Sequence, residues 1–238
     1  MRFWVESPAP VIDSPPAFST PERLAPKSGW IMKRSDTFWD SAADKYARKK
    51  VGNEAAYAQT LDRTRAHLNQ DQQVLEFGCG TGTTALKLAA NVGHITATDI
   101  SGRMIEIAQE KIREQSIENV TCKQLTLDQI AQGDARFDVV LGFNILHLLD
   151  EPTSAVSTIH TLIKPGGLFI SKTPCLGEKG KWLKPIIWVM QKLGKAPLVH
   201  FLSYFELDEM IRSSGFEIIE TGVYPASTGS RFIVAKRH

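Results

Sequence analysis

The sequence predicts an α/β fold: a doubly wound, seven-stranded, mostly parallel sheet with an antiparallel last strand and helices on both faces. Three observations predict it. Short apolar runs alternate with helical patterns from residue 73 onward. The first run enters a turn with glycines at 78, 80 and 82, the strand-to-helix junction of such folds. The fourth run, Phe137–Phe143, is almost wholly apolar, as a strand covered on both faces requires.

Two helices are expected before the sheet, over residues 37–50 and 54–68. In the first, Phe38, Ala42, Tyr46 and Lys49 recur at helical spacing; in the second, Tyr57, Leu61 and Leu68 lie near one face. Gly52-Asn53 marks the break between them. The first strand is Gln73–Phe77, and the glycine turn opens a helix over 83–90. His94–Asp99 reads as the second strand, and Ser101 as the N-cap of a helix over 102–115. Strands follow over 120–125 and at Phe137–Phe143. A helix over 153–163 is stopped by Pro165-Gly166-Gly167, and a fifth strand spans 168–172. Ser203 and Glu206 have capping-box spacing before a helix over 206–214. The last strands are Phe216–Val223 and 230–236. The short 225–229 turn between them predicts antiparallel pairing.

At 238 residues the chain fits one domain better than two. Residues 32–238 are expected to form it. Six of the twelve prolines lie between Pro8 and Pro26, without a periodic apolar pattern. Residues 1–31 are therefore expected to be a disordered extension upstream of a natural start at Met32. A formal charge of +2 gives no reason to expect a nucleic-acid partner. Cys79, Cys122 and Cys175 show neither metal-ligand spacing nor a disulfide framework, so no metal site and a reducing, cytoplasmic setting are expected. No apolar run reaches the ~18 residues of a membrane span.

The chemistry concentrates in residues 74–82. Glycines at 78, 80 and 82 allow positive φ and close approach of a ligand to the backbone. The following helix points free N–H groups at whatever lies above the turn. A dinucleotide fingerprint would place a third glycine at position 83, where Thr83 stands. Glu76, two residues before the first glycine, would repel phosphates and attract an ammonium. The site therefore suits a nucleoside with a cationic amino-acid tail better than a dinucleotide. A nicotinamide-dependent oxidoreductase and a non-catalytic cofactor-binding module remain the alternatives.

With Glu76, Gly78, Gly80 and Gly82 in place, and Asp99 ending the second strand, the chain resembles class I S-adenosylmethionine-dependent methyltransferases. The resemblance covers roughly residues 37–236 and implies a Rossmann-like sheet. It implies S-adenosyl-L-methionine as cofactor and S-adenosyl-L-homocysteine as product. Glu76 would lie near the methionine ammonium, and the turn, with Cys79 in it, near the sulfonium and carboxylate. Asp99 would accept from the ribose hydroxyls, and Ile100 and Met104 would flank the adenine. Tyr46 would lie over the cofactor. Residues 137–149, with Asn144, resemble the family's fourth-strand motif, and residues 162–168 its fifth. Many members carry an acid after the third strand; here Thr126 stands there. Adenine recognition would then use backbone groups near Thr126 and Leu127. Met104 and Tyr46 each also fit plain helix packing.

His147 follows the fourth strand, at the edge that faces the ligand crevice in such folds. An imidazole there can serve as general base, or can simply pack. His200 is a second, weaker candidate to face the acceptor. Residues 174–205 interrupt the alternation where the family inserts a substrate cover. Within them Trp182, Ile186, Trp188, Met190 and Leu193 accompany lysines at 179, 181, 184, 192 and 195. Segment 179–195 can make weak peripheral membrane contact or pack on the core with its lysines solvated. Either way the acceptor is expected to be small and apolar, such as a quinone precursor, a phenol or a lipid. Gly142-Phe143-Asn144-Ile145 is unlike the Asp/Asn-Pro-Pro-aromatic run of nucleobase amino methylation. The cysteines are unlike the clusters of arsenite methyltransferases.

Overall fold

The computed structural model describes residues 29–49, 51–193, 195–227 and 229–238. Helices α1 (Gly29–Arg48) and α2 (Glu54–Arg65) precede the sheet. Asn53 caps α2, its side chain accepting from the Ala56 N–H. The alternation then runs β1 (Gln73–Phe77), α3 (Thr83–Leu88), β2 (His94–Asp99), α4 (Gly102–Glu114) and β3 (Val120–Gln124). It continues with α5 (Leu127–Ala131), β4 (Phe137–Phe143), α6 (Pro152–Leu162) and β5 (Ile163–Pro174). After β5 come α7 (Leu176–Lys179), α8 (Lys184–Lys192), α9 (Tyr204–Ser213), β6 (Phe216–Val223) and β7 (Ser230–Arg237).

The strands form one sheet in the order β3-β2-β1-β4-β5-β7-β6. Strands β1 to β5 pair parallel, and β7 is antiparallel to both β5 and β6. The last strand in sequence thus inserts between β5 and β6. The order reverses between β1 and β4, and in an open sheet this switch point leaves a crevice at the carboxyl ends of the strands. Each face of the sheet has its own core. Leu75, Phe137, Phe169 and Ile233 pack with Ile159 and Leu207 on one face; Val74, Ile95, Leu141 and Phe232 pack with Leu61 and Leu88 on the other. This double covering is why β4 is apolar except for Asp138, which accepts from the Gln73 N–H and pairs with Lys164.

Several expectations are corrected. Helix α1 begins at Gly29, before the predicted boundary at Met32; the disorder expected for residues 1–28 lies outside the described residues. Pro165-Gly166-Gly167 does not simply end a helix, because it runs inside β5. A Cβ on Gly167 would come within 2.6 Å of the Asp138 carbonyl oxygen, so the strand passes its neighbour too closely for a side chain. Helix α9 starts at Tyr204 because Glu206 is its third residue and closes the capping box with Ser203. Helix α5 was not expected; its capping box joins Thr126 and Gln129.

The insert departs furthest from simple packing. Helix α8 has no buried residue, and Trp182 and Trp188 are 69% and 60% exposed. Only Ile187 and Gln191 of α8 are part-buried, so the helix packs little of its surface on the core. No helix among the described residues is long and apolar enough to cross a membrane.

Phe169 is fully buried at the centre of β5, with its ring centroid 5.7 Å from that of Phe216. Phe169→Ala is expected to destabilise the fold by about 3–5 kcal/mol in urea denaturation; a loss below ~1 kcal/mol would contradict the assigned core.

Candidate active site

The crevice is built around the turn after β1. Gly78, Gly80 and Gly82 have φ of 63°, 54° and 71°. A Cβ on Gly78 would lie 2.6 Å from Ile145 Cγ1, and one on Gly82 2.9 Å from Ala108 Cβ. These two glycines let neighbouring elements close in. Gly80 differs: a Cβ there would meet only Tyr46 Cε1, at 3.6 Å. Gly80 is thus the part-buried crest of the turn, required by its left-handed backbone, and the Tyr46 ring stands beside it.

Asp99 ends β2 and ties the turn to α4. Its Oδ2 accepts from the Gly80 N–H at 2.8 Å and its Oδ1 from the Ser101 N–H at 2.9 Å. Burial raises the Asp99 pKa, while backbone N–H groups of Ser101, Gly80 and Ile100 oppose the shift and the charge of Asp40 adds to it. Each carboxylate oxygen keeps a further lone pair for a ligand hydroxyl.

Glu76 is only 3% exposed. Burial pushes its pKa up to about 8, with the Cys122 thiol adding; the Ala85 N–H opposes and Asp99 adds further. Its Oε2 is buried with no hydrogen-bond partner. A buried acid with an unmet oxygen, beside glycines that open the backbone, fits a cationic ligand group. The Tyr46 pKa is also raised, by burial, then by Asp99 and then by Glu76, although half of the residue's surface is open. Tyr46 therefore stands close to both acids.

Helix α1 is pinned over the crevice. Asp40 Oδ1 accepts from the Ser101 hydroxyl at 2.6 Å and the Arg103 N–H at 3.1 Å. Arg103 also donates to Asp44 at 2.9 Å and Glu106 at 2.9 Å. Met104 is 2% exposed and fills the α1–α4 seam with Ala43 and Ile107. Its buried position accounts for packing; Ile100, part-buried at the head of α4, is the more open of the two residues.

Sequence reasoning missed several polar contacts. Lys111 donates to the Thr81 carbonyl at 3.0 Å and to the hydroxyls of Thr81 and Thr83 at 2.9 and 3.1 Å. Thr83 thus anchors the turn where a dinucleotide fingerprint has glycine. Tyr57 and Thr84 share a hydrogen bond of 3.1 Å. The Thr126 N–H donates to Gln129 Oε1 at 2.9 Å and so is spent within the α5 cap. Leu127, at the first helical position, keeps an N–H without an intrahelical acceptor. Lys111, Asp40 and Thr84 meet their partners across the fold, so no local spacing announces them. The Thr126–Gln129 capping-box spacing was the available signal for α5.

On the acceptor side, Asn144 follows β4 in the left-handed region, at φ 57°, and donates its N–H to the Lys172 carbonyl at 2.7 Å. His147 and His200, chosen from distant parts of the chain, come together: the His200 N–H donates to the His147 carbonyl at 2.7 Å. Burial, with His200 adding, drives the His147 pKa down to about 4. Its imidazole is therefore neutral at physiological pH and weakly basic. Nδ1 of His147 and Nε2 of His200 are both buried without partners. The Cys79 thiol donates to the Gly80 carbonyl at 3.5 Å, and the neighbouring thiols of Cys79 and Cys122 influence each other, raising the Cys79 pKa and lowering that of Cys122. Among the described residues, no group of three or more His, Cys, Asp or Glu side chains could hold a metal ion.

A switch-point crevice with a glycine turn, a buried acid before it and a second acid at the next strand end defines a nucleoside-binding α/β protein. Residues 47–221 match the family described as a methyltransferase domain, and the chain belongs to that class I, S-adenosylmethionine-using family. A ubiquinone biosynthesis O-methyltransferase of Alkalilimnicola ehrlichii is 32% identical over 105 residues, 44% of this chain and 42% of that relative. The chain thus spans under half of that curated relative's length. Magnesium protoporphyrin IX methyltransferase from Synechocystis PCC 6803, solved with bound S-adenosylhomocysteine, superimposes with a TM-score of 0.67 at 21% identity, covering 87% of this chain and 99% of that one. The [4+2]-cyclase SpnF superimposes with a TM-score of 0.63 at 18% identity, covering 75% and 80%. At these identities the structural likeness is one of fold.

The folded protein holds the Glu76 proton to about pH 8, whereas an unshifted carboxyl releases it near 4.5. The stability from this group is complete below the lower value and is lost as pH rises between the two. Urea midpoints of the ligand-free protein should fall across that window, and Glu76→Gln should remove this part of the slope. Equal slopes in both proteins would contradict the burial assigned to Glu76.

Proposed function

We propose that the chain is an S-adenosylmethionine-dependent methyltransferase for a small, apolar acceptor of the phenol, quinone-precursor or lipid class. The observation that carries this reading is the buried Glu76 carboxyl group, with its unpartnered Oε2, two residues before Gly78. Glu76 holds the amino group of the methionine tail. Gly78, Cys79, Gly80 and Gly82 give the backbone room along that tail. Asp99 accepts from the ribose hydroxyls, Ile100 and Leu127 border the adenine, and Tyr46 covers the turn. When bound, the cofactor supplies an electrophilic methyl group on a sulfonium. The protein's task is to align the acceptor in line with that methyl and to keep water out.

His147, His200 and Asn144 border the acceptor. Neutral His147 can orient a hydroxyl, while its low pKa makes it a weak proton acceptor. Residues 174–205 form the acceptor's cover. A nicotinamide-dependent oxidoreductase is disfavoured because Glu76 would face a pyrophosphate and because Lys111 holds Thr83 in the third glycine's place.

The insert has a second role in this reading. Trp182, Ile186, Trp188 and Leu193 are exposed, and Lys184, Lys192 and Lys195 lie in the same segment. This chemistry suits weak contact with an anionic bilayer, from which an apolar acceptor would enter. The ubiquinone-related name of the relative is consistent with a membrane-soluble acceptor.

Two measurements test the reading. S-adenosylhomocysteine at about 100 times its dissociation constant should stabilise the protein by roughly 2.7 kcal/mol in thermal unfolding. Stabilisation by NADH with none by S-adenosylhomocysteine would overturn the cofactor assignment. The protein should co-sediment with phosphatidylglycerol-containing vesicles at low salt and be released at high salt. Trp188→Ala should weaken that binding, and absence of salt-sensitive binding would remove the membrane role.

A further inference from the structure

Lys172 is a charged side chain with no evident employment in the fold. It lies near the carboxyl end of β5, paired with Phe143 on β4 and Phe232 on β7. It is 8% exposed. Its ammonium can donate three hydrogen bonds. Among the described residues its ammonium makes one side-chain hydrogen bond, to Thr60 Oγ1 at 2.9 Å. That hydroxyl donates onward to the Ala56 carbonyl at 2.7 Å, so the chain of contacts ends without a negative charge. Lys164, Arg63 and Arg231 behave otherwise, each pairing with a carboxylate.

An ammonium held this way is costly, since an apolar side chain of similar length would fill the space without desolvating a charge. Burial alone lowers the Lys172 pKa, and an anion arriving beside it would restore the charged form. The surroundings indicate where that anion comes from. Thr60 is one turn beyond Tyr57 on α2, and Tyr57 bonds Thr84 at the start of α3. Lys172 therefore lies on the face of the sheet that carries the glycine-turn helix, level with the end of β4. Its strand neighbours are Phe143 and Phe232, and the Tyr224 ring centroid lies 5.8 Å from that of Phe232.

We propose that Lys172 reads the charge of the methyl acceptor, pairing with an ionisable hydroxyl of an aromatic or enolic ring bound as its oxyanion beside the part-buried Phe143. This inference rests on the methyltransferase reading of the crevice and narrows the acceptor to an oxygen nucleophile. The hydroxyl proton leaves to water as the oxyanion binds. The oxyanion's lone pair forms the new O–C bond, and the C–S bond breaks with its electron pair moving onto sulfur. An anion and a sulfonium become a neutral ether and a neutral thioether. Lys172 remains an ammonium throughout and, once the ether forms, has no anion left to hold, which favours product release.

The test uses 4-nitrophenol, whose phenolate absorbs visible light and whose phenol does not, added to the full chain saturated with S-adenosylhomocysteine. The pH is set below the probe's own pKa. The wild-type protein should bind the probe with the phenolate band present. Lys172→Met should lose the band and bind at least about tenfold more weakly, with S-adenosylhomocysteine affinity unchanged. Lys172→Arg, which keeps the charge, should retain the band. Thr60→Val, which removes only the hydroxyl partner, should also retain it and remains informative if Lys172→Met fails to fold. No phenolate band in the wild-type protein, or an equal band in Lys172→Met, overturns the inference. Failure of S-adenosylhomocysteine to bind the wild-type protein would instead count against the methyltransferase reading.

Discussion

A buried carboxyl group sets the terms for the crevice. Glu76 is fixed in the sheet by its place on β1, with Val74 and Leu75 before it in the cores of the two faces. Its position follows from strand register, and its burial follows from the helix that the glycine turn launches above it. Without an occupant it holds its proton to about pH 8 and leaves Oε2 unmatched. An arriving ammonium reverses this, because a cation beside a buried carboxylate favours its charged form. Gly80 and Asp99 extend the same logic outward: the turn cannot shift without breaking the Gly80 N–H bond to Asp99.

The surrounding structure keeps that geometry in place. Asp40 sits at the start of α4 and accepts from Ser101 and Arg103, so α1 is locked to the element that begins just after Asp99. Lys111 grips the far side of the turn through Thr81 and Thr83. The crevice is thus held on both sides, and Tyr46 reaches its crest from a helix fixed by polar contacts at one end. The acceptor side is more open. Its insert exposes tryptophans, and its histidines keep buried nitrogens without partners. These features fit a half-site that is completed by a substrate. The fold by itself does not decide the chemistry, since the [4+2]-cyclase SpnF shares it.

What the sequence made legible divides along physical lines. β1, β2 and β4 are readable to the residue because strands covered on both faces are mostly apolar and bounded by turn chemistry; β6, an edge strand with one buried residue, is readable from its bounding Gly215 and Pro225 instead. The glycine turn was readable because positive φ and close approach select one residue type. His147 and His200 could each be suspected, but their meeting through one backbone bond could not. Lys172 and Asp40 were invisible for the same reason: their partners lie over a hundred and about sixty positions away in the chain. Met104 illustrates the opposite difficulty. A helix-face methionine reads identically whether it meets a ligand or a neighbouring helix, and here the α1–α4 seam buries it. The insert could be located but not oriented, because an apolar composition is compatible with burial or with an outward face, and α8 has no buried residue.

The central claim is that Glu76 receives the amino group of the cofactor's tail. Calorimetric titration of S-adenosylhomocysteine near neutral pH, repeated in buffers of different ionisation enthalpy, measures it directly. The account predicts net proton release on binding, because Glu76 is protonated before the ammonium arrives and ionised afterwards. It also predicts that the release disappears in Glu76→Gln. Binding without proton release in the wild-type protein, or the same release in the variant, would contradict it.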